Sequence, residues 1–200
     1  MKLFGSTNKL SFNTLKIRAA LAEAGAAYEL VSVDLARGEN RTPEFLVMNP
    51  HAKIPVLLAG SFALAESDAI LWYVAEKYPD AALLPRADGS AQALQGRARV
   101  MQWCAFASTS LYTAYLDWHT PALADGAIGK IERALAVMQA VLGPREHLAG
   151  AFSIADLSNA AILHSLKRRV SVEIDARHDR VRAWYDRITA RPAWTQVAAG

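Results

Sequence analysis

Three groups of residues in this chain have types and positions that suit chemistry: Glu66-Ser67, Ile54-Pro55, and Ser11 with Asn13. Glu66 and Ser67 stand where an amphipathic run begins. Free helix-end amides and the Ser67 hydroxyl there suit a carboxylate, and the Glu66 side chain suits an ammonium. A carboxylate and an ammonium on one carbon make an α-amino acid head. Ile54-Pro55 opens the apolar run "IPVLL" with a residue that has no N–H to give a ladder. In the cis form this bond would turn the Ile54 amide and carbonyl toward the backbone of a bound peptide. Ser11 and Asn13 bring a hydroxyl and an amide to the loop before the first helix. Taken singly, each feature also has a plain structural reading: a helix cap, an edge strand, and the polarity of a loop.

The elements that must hold these groups follow from periodicity and punctuation. "KLF" reads as a strand, and after the loop from Gly5 to Leu10 the run "NTLKIRAALAEAG" reads as a helix closed by Gly25. "YELVSVDL" has strand composition. "TPEFLVMNP" is a short helix bracketed by prolines, and "IPVLL" and "SFALA" around Gly60 suit an antiparallel hairpin. "ESDAILWYVAEKYP" is a helix with a proline stop. The order βαβαββα requires a right-handed parallel crossover in its first half. In such a unit the three groups of residues can border one cleft.

Beyond Asp80 the composition changes to "DAALLPRADGSA", a linker with proline and glycine, and no convincing strand follows. Amphipathic runs over about 93–116, 128–142, 154–167 and 179–189 predict a helical bundle. Its expected core includes Val100, Trp103, Leu135, Met138, Leu157 and Trp184. In "FSIAD", Ser153 and Asp156 have capping-box spacing, which is a folding signal.

Composition removes several function classes. The chain has 200 residues, 52% hydrophobic and 20% charged, as expected of a globular protein with a sizeable core. A net charge of +3 is spread thinly, and the densest basic run, Lys167-Arg168-Arg169, reads as a solvated helical face rather than a nucleic-acid stripe. The single cysteine, Cys104, excludes an internal disulfide and any CxxC pair and reads as a small buried hydrophobe, and the five histidines have no metal spacing. No metal is expected. No stretch reaches the roughly 18 apolar residues of a membrane span, and the N-terminus lacks the long apolar segment of a signal peptide, so a cytoplasmic location and no membrane partner are expected.

The runs "NPHAKIPVLL" and "ALAESDAILWYVAEKYP", with "GENRTPEF" upstream and "FSIADL" downstream, resemble the cytosolic glutathione transferases over nearly the whole chain, in a bacterial-type, phi-like form. The resemblance implies an α/β thioredoxin-like N-terminal domain at 1–78, a linker at 79–92 and an all-α helical bundle domain at 93–200. It implies glutathione as co-substrate, a small hydrophobic electrophile, detoxification chemistry and a homodimer. Residue by residue, it implies that the Ile54 backbone, before a cis Pro55, pairs with the cysteinyl part of glutathione. Glu66 and Ser67 would hold the γ-glutamyl head. Asn40, Arg41 and Lys53 are candidates near the glycyl carboxylate.

The same resemblance leaves the thiol-activating group open between Ser11, which falls in the phi-class serine register, and Asn13, which matches the asparagine of some disulfide-reducing bacterial relatives. The loop from Phe4 to Ser11 is about two residues longer than in phi enzymes, and Asp68 replaces the basic residue often found after "ES". In "WCAFASTSLYTAYLDW", Trp103, Phe106, Tyr112 and Tyr115 are candidates for the electrophile pocket, of which one or two are expected to face the cleft. Two further readings stay beside the transferase. One is glutathione-dependent disulfide or peroxide reduction, and the other is a non-catalytic glutathione-binding module.

Overall fold

The computed structural model describes residues 1–8, 11–169, 174 and 176–199. The chain folds first into a four-stranded sheet with helices on both faces. Strand β1 (Lys2–Gly5) leads to helix α1 (Phe12–Glu23), strand β2 (Glu29–Ser32), helix α2 (Pro43–Met48), strands β3 (Val56–Ala59) and β4 (Phe62–Leu64), and helix α3 (Ser67–Lys77). The strand order is β2-β1-β3-β4, with β1 parallel to β2 and antiparallel to β3. Lys9 and Leu10, at the end of the expected loop, lie outside the described residues.

Alternation along the strands sorts their side chains onto two faces. Leu3 and Leu57 join the main core under α1 and α3, whereas Phe4 and Val56 face a smaller cluster with Val33 and Phe45. Phe45 belongs to α2, which Thr42 caps by accepting the Phe45 N–H at 3.3 Å and which has Pro43 in its first turn. Gly25 (φ +60°) follows α1 as the sequence requires.

The remainder is helical. Helix α4 (Ala91–Phe106) runs through a π-helical turn (Ala107–Leu111) into α5 (Tyr112–Trp118), so the expected 93–116 helix is continuous but locally widened. Then come α6 (Ala124–Val141), α7 (Ile154–Arg169), α8 (Asp179–Thr189) and α9 (Pro192–Ala199). The last helix was not read from the sequence, because its short apolar face repeats too few times to show a period. It is anchored by Trp194 and Val197, both buried.

The six expected core residues are all buried, and Leu135, Met138, Leu157 and Trp184 are fully so. Helix α7 is buried on every side from Ile154 to Leu166, so its polar residues need internal partners. Ser153 and Asp156 form the expected capping box, with Ala155 N–H donating to Ser153 Oγ and Ser153 N–H to Asp156 Oδ2. Asp156 does more than cap. Its other oxygen accepts the Trp184 indole N–H at 2.7 Å and the Leu148 amide at 3.1 Å, which ties three segments of the bundle to one carboxylate.

Candidate active site

The first turn of α1 is held close to β1. Gly5 leaves so little room that a Cβ there would lie 2.7 Å from Thr14 Cγ2. This contact brings Thr14 Oγ1 to the strand end, where it accepts the Ser6 N–H and the Ser11 hydroxyl, each at 3.2 Å. Ser11 is the residue before α1 and makes no side-chain cap bond. Among the described residues its hydroxyl is committed only to Thr14, an acceptor that Ser6 also satisfies. Thr14 escaped the sequence reading, since a threonine inside a helix carries no signal until the strand beside it is known.

Asn13 lies in the first turn of α1 and does not cap it. Its Oδ1 accepts the Ser67 hydroxyl at 3.1 Å, and no described residue accepts from its Nδ2. This bond joins the start of α1 to the start of α3, two segments separated by 54 residues. Glu66, just before α3, has φ +65° and ψ 114°, a conformation unfavourable for a side chain with a Cβ, and its carboxylate is exposed. Strain of this kind is found at ligand sites, where the surrounding structure holds it in place.

Between these helices runs the loop into β3. The Ile54–Pro55 peptide is cis, and Ile54 lies outside β3 with no backbone partner among the described residues. Two asparagines hold the loop behind it. Asn40 Nδ2 donates to Ala52 O at 2.6 Å, and the buried Asn49 donates to Lys53 O at 2.7 Å while accepting the His51 N–H at 3.1 Å. Asn40, expected beside a ligand carboxylate, thus spends its amide on the loop. Arg41 and Lys53 are exposed and form no ion pair among the described residues. Asn49 was missed because its asparagine-proline step signals a turn and nothing more.

Ser6, Ser11, Asn13 and Ile54 line a cleft of about 320 Å³ whose far wall is Tyr112, Tyr115 and Arg169. The two tyrosine rings are stacked at 6.4 Å, and Phe12 meets both edge-on, at 5.4 and 5.2 Å. Burial first, then Tyr115 and Glu66, push the Tyr112 phenol up, so it stays protonated.

The four expected pocket aromatics separate. Tyr112 and Tyr115 face the cleft, but Trp103 is buried in the core and Phe106 lines a different groove with Lys130 and Arg133. The π-helical turn between Phe106 and Tyr112 changes the helical phase, so spacing alone could not say which rings share a face. Arg169 is exposed, as expected, but has a further role in the cleft wall. Read from sequence as part of a solvated run, it lines the cleft and donates to the Tyr115 hydroxyl at 3.2 Å.

Cys104 takes no part. Burial, then the Asp68 charge, push its thiol up to about 12, so it stays protonated. Among the described residues no group of three or more His, Cys, Asp or Glu could hold a metal ion, and no helix is long and apolar enough to cross a membrane.

Comparison with known proteins agrees with this arrangement. Residues 1–76 match the model of the glutathione S-transferase N-terminal domain, and residues 121–187 match that of the C-terminal domain. Glutathione S-transferase F10 of Arabidopsis thaliana is 34% identical over 199 residues, covering 90% of this chain and 88% of the relative. Glutathione S-transferase 1 of Zea mays is 32% identical over 214 residues, covering 100% and 96%. Among solved structures, glutathione transferase F7 from Populus trichocarpa superimposes with a TM-score of 0.85 at 29% identity, over 99% of this chain and 97% of that one. A sphingomonad glutathione S-transferase complexed with glutathione does so at 0.83 and 32% identity, over 100% and 98%. The fold is a thioredoxin-like N-terminal domain followed by a helical C-terminal domain. Matched in both halves and in order, this chain belongs to the glutathione S-transferase family.

Proposed function

We propose that this glutathione transferase binds glutathione along the cleft between α1, the cis-proline loop and α3, and presents its thiolate to an electrophile held against Tyr112 and Tyr115. The observation that carries this reading is the Ser67–Asn13 hydrogen bond of 3.1 Å, which couples the start of α3, proposed for the γ-glutamyl head, to the start of α1, proposed for the sulfur. The γ-glutamyl carboxylate takes the free amides of α3 and the Ser67 hydroxyl, which turns to it from Asn13 Oδ1 when the ligand binds, and its ammonium takes Glu66. The cysteinyl backbone pairs with Ile54, and the glycyl carboxylate lies toward Arg41 and Lys53. Asn40 acts by holding the loop at Ala52.

The sulfur then falls near the start of α1. A thiol begins near pKa 8.5, and each unit of depression needs about 1.4 kcal/mol of preference for the thiolate. A hydrogen bond to a charged group supplies roughly 1.5–3 kcal/mol and a helix N-terminus about 0.3–2. Together they populate the thiolate at neutral pH without a general base. Ser11 is the principal donor: turning its hydroxyl from Thr14 to sulfur leaves Thr14 Oγ1 still bonded to the Ser6 amide. The thiol proton leaves to solvent. The thiolate forms a C–S bond to the electrophilic carbon, and the leaving group departs with its electron pair.

A second reading, glutathione-dependent disulfide or peroxide reduction, is favoured by one observation: Asn13 Nδ2 has no described acceptor while Ser11 is engaged. Homodimer assembly, a cytoplasmic location and a detoxifying role belong to the same proposal and rest on the family. Calorimetric titration with glutathione tests it. Glu66→Ala should weaken binding by about 1.5–3 kcal/mol, and unchanged affinity in a folded variant would remove the glutamyl assignment. Parallel assays with 1-chloro-2,4-dinitrobenzene, hydroxyethyl disulfide and cumene hydroperoxide separate transferase from reductase.

A further inference from the structure

We infer that the electrophile pocket is built for an aryl electrophile carrying a carboxylate or similar anionic group, which Arg169 and the Tyr115 hydroxyl receive at the mouth of the cleft. The inference rests on the transferase reading and adds the substrate's charge. Arg169 stands in the last turn of α7, and its Nη1 donates to the Tyr115 hydroxyl at 3.2 Å. Tyr115 is 8% exposed, and the stacked Tyr112 and edge-on Phe12 fix its ring. The hydroxyl that accepts from Arg169 keeps its own proton to donate.

A guanidinium fork and a phenol O–H side by side form a donor set suited to a planar oxyanion. Among the described residues no Asp or Glu lines the cleft and no carboxylate pairs with Arg169. A neutral electrophile would leave this cation facing an aromatic wall without an anion. The rings accept the flat body of an aryl substrate, and the fork accepts its charged end. Because Arg169 is exposed, solvent screens the contact, and a moderate, salt-sensitive preference is expected.

A charge-matched pair tests this: 4-chloro-3,5-dinitrobenzoate and 4-chloro-3,5-dinitrobenzamide. In both, the glutathione thiolate forms a C–S bond at the chlorine-bearing carbon, chloride leaves with the bonding pair, and the thiol proton goes to solvent. Each kcat/KM is divided by the uncatalysed rate constant with glutathione. The wild-type acid-to-amide ratio should fall at least fivefold in Arg169→Gln, less in Arg169→Lys, and should shrink in wild type as salt is raised. Calorimetry on the two glutathione conjugates gives the same ratio without turnover. Equal ratios in wild type and Arg169→Gln would overturn the inference and leave the transferase reading standing. A pKa of bound thiol that rises by a unit or more in Arg169→Gln, with the ratio unchanged, would move the guanidinium's role to the sulfur and also overturn it. If neither conjugate nor glutathione binds, the transferase reading fails and takes the inference with it.

Discussion

Lys16 Nζ lies 2.6 Å from Asp68 Oδ1, and the lysine side chain is only 1% exposed. Lys16 is on α1 and Asp68 in the first turn of α3, next to Ser67. Ser158 of α7 bonds to both, donating to Asp68 Oδ1 at 2.9 Å and accepting from Lys16 Nζ at 3.1 Å, and Ser108 donates to Asp68 Oδ2. Asp68, which stands where many relatives are expected to have a basic residue, thus turns inward. It locks the two site-bearing helices to the helical domain.

The two charges are unequally buried, so removing them should not cost the same. Asp68→Ala strands a nearly inaccessible ammonium with one hydroxyl for company and should cost about 3–5 kcal/mol. Lys16→Met leaves a carboxylate that is 24% exposed and keeps two serine donors, and should cost less. Combining Lys16→Met with Asp68→Asn should recover part of the loss. Urea unfolding of the three variants measures this order, and equal losses from both single changes would contradict it.

Thiolate stabilisation should follow the hydroxyl at Ser11. Ser11→Ala should raise the pKa of bound glutathione by about one unit, a loss near 1.4 kcal/mol, while Asn13→Ala should move it less. Ultraviolet absorbance of bound thiolate against pH reads both. The opposite order would place the sulfur on the Asn13 amide and favour the reductase reading. No shift in either would assign the charge to backbone amides.

Gly5→Ala should disturb the same site from behind. The new Cβ, 2.7 Å from Thr14 Cγ2, must push Thr14 away, which should cost about 1–3 kcal/mol as an overpacked contact and release Ser11. Adding Thr14→Ser removes the methyl in closest contact and should restore part of the melting temperature. If Gly5→Ala alone matches wild type in both stability and bound-thiol pKa, the strand end is not what positions α1.

His164 should make the bundle acid-sensitive. Burial, then the charges of Arg168 and Lys167, push its imidazole down to about 4 from an ordinary 6.5, and its Nδ1 lies 2.8 Å from the Tyr185 hydroxyl. The unfolded chain binds this proton more readily, so the contribution is complete above about pH 6.5 and is lost as pH falls toward 4. Unfolding free energy measured between pH 7 and 4 should fall less in His164→Gln than in wild type. Parallel curves would show that His164 does not titrate in this window.

Local patterns in the chain carried much of this protein's architecture. Period-two and period-3.6 burial is written in the residue order, so the βαβαββα sequence of elements and the helical runs up to about residue 189 were legible, as were the turn at Gly25 and the Ser153–Asp156 cap. Glu66-Ser67 and Ile54-Pro55 were legible as candidates because each is a contiguous pair at an element boundary. The side-chain partnerships were not, because they join residues far apart in the chain. Asn13 meets Ser67 across 54 positions, Lys16 meets Ser158 across 142, and Arg169 meets Tyr115 across 54. A π-helical turn between Phe106 and Tyr112 then decided which aromatic rings face the cleft, since one added residue per turn rotates everything beyond it. Tertiary packing made a helical threonine the partner of Ser11, an exposed arginine a wall of the pocket, and an unexpected aspartate the lock between two domains.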